Sequence, residues 1–81
     1  MNNNFIDLTS QGNDVNFITA LDNTDPNNIY VGNALPGTPQ SAALWKITKI
    51  ITSGNIITIL LANSNSNYSN IWNNRASLTY G

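Results

Sequence analysis

The sequence predicts an all-β domain, a small antiparallel sandwich or barrel-like meander built around a central hairpin. Three observations carry that expectation. β-Branched residues and asparagine dominate the chain, and no long stretch repeats its apolar residues every 3.6 positions, so helix has little support. Two β-rich runs flank Ser53-Gly54-Asn55, a strong hairpin signal. Clusters of Asn, Pro, Gly and Ser punctuate the rest at short intervals.

In chain order, MNNNFIDLTSQGNDV sets Phe5, Ile6 and Leu8 in a polar frame, and residues 1–14 read as an N-terminal arm or edge strand. Residues 15–81 then form a single β domain. NDVNFITALD alternates, with Val15 and Phe17 opposite Ile18 and Ala20, and reads as a strand. DNTDPNN should break any regular element. Ile29–Gly32 is a short strand, and Asn33–Ala43 a projecting loop with a type II turn at Pro36-Gly37, because proline fixes φ and glycine tolerates φ > 0.

LWKITKIITSGNIITILLA is the central hairpin. Pairing 51 with 57 puts Trp45, Ile47 and Ile51 on one face with Ile57, Ile59 and Leu61. The other face then holds Lys46, Thr48, Ile50, Thr58 and Leu60. That second face is too apolar for water, so Ile50, Ile56 and Leu60 become a candidate interface, with Phe5 and Ile6 of the arm. NSNSNYSN is a polar loop, and RASLTY reads as the final strand, with Ala76, Leu78 and Tyr80 together.

Charge is the compositional anomaly. Only 9% of the 81 residues are charged, against about 25% in an ordinary soluble domain. Sixteen asparagines stand in their place, beside only two lysines. With a net charge of −1, copies scarcely repel one another, which suits dense packing. The scarcity of Lys and Arg argues against nucleic acid, since phosphates need clustered cations. No run is long and apolar enough for a membrane helix, and Met1 leads into Asn2-Asn3-Asn4 rather than a signal peptide. The chain is expected to be made and kept in a cytoplasm, or released by some route other than a signal peptide. Neither Cys nor His occurs, so disulfides and Cys/His metal sites are excluded, and a chain this small is expected to gain stability by oligomerising or docking.

The same absences weigh against an enzyme. There is no Glu either, and the four aspartates all fall in the first third. A carboxylate pair at Asp22 and Asp25 would lie in a turn, where pKa values are expected to stay ordinary. Asp22, Asp25 and Asn27 could offer oxygens to Ca²⁺, but their spacing fits no EF-hand, and Asx-Pro turns need the same residues. No cofactor is expected. Asn67-Tyr68-Ser69 fits the glycosylation pattern, an accident in a chain without a signal peptide. Trp45, Trp72, Tyr68 and Tyr80 with abundant Asn suggest a carbohydrate surface. The competing view, that the tryptophans are core, is favoured by the area they must bury. Arg75 stands three positions after Trp72 and reads as an anchor: it can stack on the indole and hold backbone carbonyls with its planar fork. Its charge is to be met by carbonyls, by an aspartate from the first third, or by a neighbouring subunit.

IYVGNALPG, SAALWKI and WNNRASLTY together resemble a small domain recurring in bacteriophage structural proteins, alone or at the end of longer tail- or particle-associated chains. The shared positions include Tyr30, Gly32, Trp45, Trp72, Arg75 and Tyr80, and they become the expected structural anchors. The resemblance spans about residues 22–80, and its C-terminal motif is the more specific part. Members often carry Asp-Gly after the second hairpin strand and acids beside the last Trp. This chain has Asn63-Ser64 and Asn73-Asn74, so a cation held by those acids is not expected. The resemblance implies a non-enzymatic virion structural protein, made in the host cytoplasm, whose partners are itself, as a homo-oligomer, and other virion proteins. A receptor- or glycan-binding tip of a tail fibre is the alternative, and an accessory protein outside the particle a third.

Overall fold

The computed structural model describes residues 17–81. The arm residues Phe5 and Ile6, and the start of the strand expected around Val15, lie outside them. The described chain is mostly antiparallel sheet. Strands β1 (Ile18–Asp25), β2 (Asn28–Ala34), β3 (Ala43–Ser53) and β4 (Ile56–Leu61) form a meander in that spatial order. A two-residue β5 (Asn70–Ile71) pairs with the start of β3, and a 3-10 helix, Trp72–Ser77, follows it. The sheet does not close, so the barrel-like alternative is set aside.

Short turns explain the meander. Pro26-Asn27 joins β1 to β2, so the turn formers interrupt the sheet for two residues only. The rest of that cluster is absorbed into β1 as a bulge, where the register shifts between Asp22 and Asp25. At Pro36-Gly37 the backbone makes the expected turn, with Gly37 at φ 85° and Thr38 N–H donating to the Leu35 carbonyl.

The hairpin register differs from the expected one by a single residue. Ile51 faces Thr58 and Thr52 faces Ile57, because the loop is two residues, Gly54-Asn55, with Ser53 opposite Ile56. Gly54 takes φ 60° at the first loop position, which a II′-type turn demands. Turn geometry could prevail because the hairpin tip is not buried; of its side chains before Ala62 only Trp45 and Ile47 are. A slip of one residue costs little where neither face is covered.

The covered face is built around two tryptophans. Trp45, Ile47, Ala34, Ala62 and Trp72 are buried, with Ala20, Tyr30, Leu78 and Tyr80 packed against them. The indoles of Trp45 and Trp72 lie 5.8 Å apart at a tilt of 35°. The final segment is not the expected strand. WNNRAS coils into the 3-10 helix and only Tyr80 bridges to Ala62, because Trp72 must turn down onto the sheet over Gly32. A Cβ at Gly32 would sit 2.5 Å from Trp72 Cε3 and 3.0 Å from Trp45 Cε3.

Asn63 and Ser64 both have left-handed backbone, φ 56° and 58°. Two successive positive φ values are what Asp-Gly adopts readily in a tight turn and what serine resists.

Two stability predictions follow from the backbone. Gly32→Ala should cost about 2–3 kcal/mol by overpacking against the indoles, read as a lower urea midpoint by tryptophan fluorescence. Ser64→Gly should gain about 0.5–1 kcal/mol by relieving the left-handed strain, seen as a higher midpoint in the same assay.

Candidate functional site

Two surfaces of unlike chemistry emerge, a polar clamp on the covered side and an apolar sheet face opposite it. The clamp gathers the expected anchors Tyr30, Gly32, Trp45, Trp72, Arg75 and Tyr80 on one side of the sheet. Arg75 Nε donates to Asp22 Oδ2 at 2.9 Å and Nη1 to the Trp72 carbonyl at 3.2 Å. Its guanidinium carbon lies 4.5 Å from the Trp72 ring centroid. Of the partners open to Arg75 in the sequence, a carbonyl and an aspartate both take part. Tyr80 Oη donates to the Arg75 carbonyl at 2.8 Å, so the helix is held from both ends.

Lys49 extends the clamp. Its Nζ lies 5.5 Å from the ring centroids of both Tyr30 and Tyr80. Asn70 completes it from below: buried, it donates to the Trp45 carbonyl at 3.2 Å and accepts from Asn63 Nδ2 at 2.7 Å. Both residues escaped the sequence reading. For Lys49 the signal was its even spacing from Trp45 and Ile47; one buried asparagine among sixteen carries no mark of its own.

The acids do not behave as expected for a solvated turn. Asp22 is held down to about 2, first by the Thr24 N–H and hydroxyl and then by Arg75. Asp25 is lowered by the Asn27 N–H and the Asn28 amide. Such carboxylates stay ionised, which is the reverse of what a general acid needs. Burial pushes the Tyr80 phenol up to about 12, with Tyr30 acting in the same direction. Beside the clamp, a polar cleft of about 390 Å³ runs along β1 past Ala20, Asp22, Gln40, Trp72, Asn73 and Arg75. Trp72 is only 4% exposed there, so it offers a sugar no stacking platform.

The opposite face is the candidate interface, but with a different membership. Ile50 lies on it; Ile56 and Leu60 do not, because the observed register puts them beside Ser53 and Lys49 on the other face. In their place come Ile57, Ile59 and Leu61 from β4, Ile29 and Val31 from β2, and Leu21 from β1. Leu21, Ile57 and Ile59 are 61%, 64% and 65% exposed. Lys46 brings the one charge on this face of the four strands. At its far end Phe17 and Tyr68 stack at 5.1 Å and line an apolar cleft of about 270 Å³ with Leu35, Leu44 and Thr38.

Comparison with protein-family models, curated proteins and solved structures gave no match. The reading of these surfaces rests on their own chemistry.

The clamp predicts a pH profile with two limbs. Asp22 has a lowered pKa when folded, so its stabilisation is complete above about pH 4, the unfolded value, and is lost as pH falls towards about 2. Tyr80 has a raised one, so stability holds below about pH 10 and declines as pH climbs towards about 12. Unfolding followed by circular dichroism across pH should show both limbs. Asp22→Asn should reduce the acid limb to the share that Asp25 contributes, and Tyr80→Phe should flatten the alkaline one.

Proposed function

We propose that this chain is a non-enzymatic structural protein of a bacteriophage particle, assembling in multiple copies through the apolar face of its sheet. The observation that carries the reading is the unequal covering of that sheet. One face is covered over its middle by Trp72, Leu78 and Tyr80 and stays open only at the hairpin tip, where Ile56 is 69% exposed. The other presents Leu21, Ile29, Val31, Ile50, Ile57 and Ile59 with no described element over its middle. A contiguous apolar patch of this kind marks a surface meant to be covered. The scarcity of charge supports a like partner, since two copies brought together place few charges in the contact. Sheets that pack face to face bury such residues about 10 Å apart. The particle itself enters through the resemblance of the YVG, WKI and WNNRASLTY segments to bacteriophage structural domains.

A receptor- or glycan-binding tip has less support. Trp45 and Trp72 are buried, which removes the two largest rings from any sugar platform. The exposed pair left, Phe17 with Tyr68, lines an apolar cleft rather than a polar one.

Light scattering on a sizing column across a dilution series tests the proposal. The full chain should run as a discrete oligomer that persists on dilution, and Ile50→Lys, which sets a charge in the middle of the face, should lower the mass. A folded monomer at every concentration overturns it.

A further inference from the structure

The apolar face is not uniform from end to end. A polar belt of Thr19, Asn33, Lys46 and Thr48 crosses it, with the Asn33 amide donating to the Thr19 hydroxyl at 3.1 Å. On one side of the belt lie Ile29, Ile50, Ile57 and Ile59. On the other lies the cleft of Phe17, Leu35, Thr38, Leu44 and Tyr68. Lys46 stands at the edge of that cleft, two residues from Leu44 on β3 and so about 6.6 Å along the strand. Among the described residues its ammonium has no carboxylate. Asp22 is bound to Arg75 on the covered face, and Asp25 is held in its turn by Asn27 and Asn28.

Two requirements define what fills this end of the face: an apolar group for the cleft, and a carboxylate two residues away for Lys46. A cation covered by apolar groups without an opposite charge is costly. A second copy laid over this end offers only another Lys46. Two acidic side chains remain in the chain. Asp14 has Gly12 and Asn16 two residues to either side, and so brings nothing for the cleft. Asp7 has Phe5 two residues before it. In an extended segment those two side chains lie on one side, at the same spacing as Leu44 and Lys46.

We infer that the chain's own N-terminal segment docks on this end of the face, with Phe5 in the cleft and Asp7 on Lys46. Its length permits this. Phe17 lines the cleft itself, and the strand registers set it level with Leu44 two strands away. Lys46 is then about 12 Å from Phe17, two strand spacings across and two residues along. Asp7 precedes Phe17 by ten residues, a reach of up to about 33 Å, which leaves length for a reversal at Gly12-Asn13. A tether that spans two sites presents them to each other at about millimolar concentration, which favours the same chain over a neighbour's. With Lys46 matched, the belt carries no net charge and the isoleucine end of the face stays open. The docking is compatible with the multi-copy reading and does not depend on it.

Carbodiimide coupling of the full chain, which joins a carboxylate to an amine where the two touch, tests the docking. Peptide mass mapping should find Asp7 joined to Lys46, and not to Lys49, which lies on the covered face by Tyr30 and Tyr80. In a mixture of ordinary and heavy-nitrogen chains, every such linked pair should carry one isotope, whatever the mass of the assembly. The link should fall to background in Asp7→Asn. The cleft is read separately by urea midpoints from tryptophan fluorescence. Phe5→Ala should lower the midpoint in the native chain and leave it nearly unchanged in a Leu44→Ala background, because the two side chains share one contact. Lys46 joined to Asp14 instead overturns the docking. So does an unlinked Lys46 in a chain whose Asp7 is shown by added glycine amide to be activated, and so do linked pairs of mixed isotope. None of these outcomes depends on oligomeric state, so the assembly reading stands or falls by its own measurement.

Discussion

The missing side chain of Gly32 lets the rest of this fold exist. Trp72 lies where a Cβ at that position would be, within 2.5 Å of its Cε3, and rests against Trp45. A sheet of four short strands has too little area to hold itself together unless one face is covered. Here the cover is one indole, a 3-10 turn and two further side chains, Leu78 and Tyr80. Each works only if Trp72 sits flush on the strand. Any bulk at position 32 would lift the indole, and with it the backbone carbonyl that Arg75 grips.

Around that contact the polar groups are arranged to fix direction rather than to add large energies. Arg75 and Asp22 are both partly exposed, and solvent screening leaves an ion pair of that kind little net stabilisation. What the pair does is choose which way the 3-10 helix leaves β5. The guanidinium lies over one indole and meets β1, the strand farthest along the sheet from β4. Tyr80 then returns the chain across Lys49 to Ala62 and completes the circuit. Asn70 serves the same end from within, using its amide to join the start of β5 to the Trp45 carbonyl.

Much of this was legible in the residues. β-Branched runs and short turn signals gave the class, and Gly32 stood among the expected anchors only through the resemblance; that Trp72 rests on its bare backbone came from the structure. Area alone put Trp45 and Trp72 in the core. What failed was register and direction. The hairpin was placed by matching apolar residues, yet the tip at Ile56–Ile59 lies beyond the covered region, so burial had no hold there and Gly54-Asn55 decided. RASLTY alternates like a strand, but alternation cannot reveal that Trp72, just before it, must dive onto another layer. Asp22 is lowered by partners two and fifty-three residues away, and only the nearer was within reach of a local reading.

The order of the chain matters for how the covered face is made. The strands come first, joined by turns of a few residues, and local pairings of that kind form fast. Residues 72–80, which seal the sheet, follow all four strands in sequence. Until they dock, both faces of a nearly uncharged sheet are open. The clamp is then a timer as much as a fastener. The delay between closing β4 and seating Trp72 sets how long a newly made chain has two sticky sides instead of one, and so how readily it goes astray.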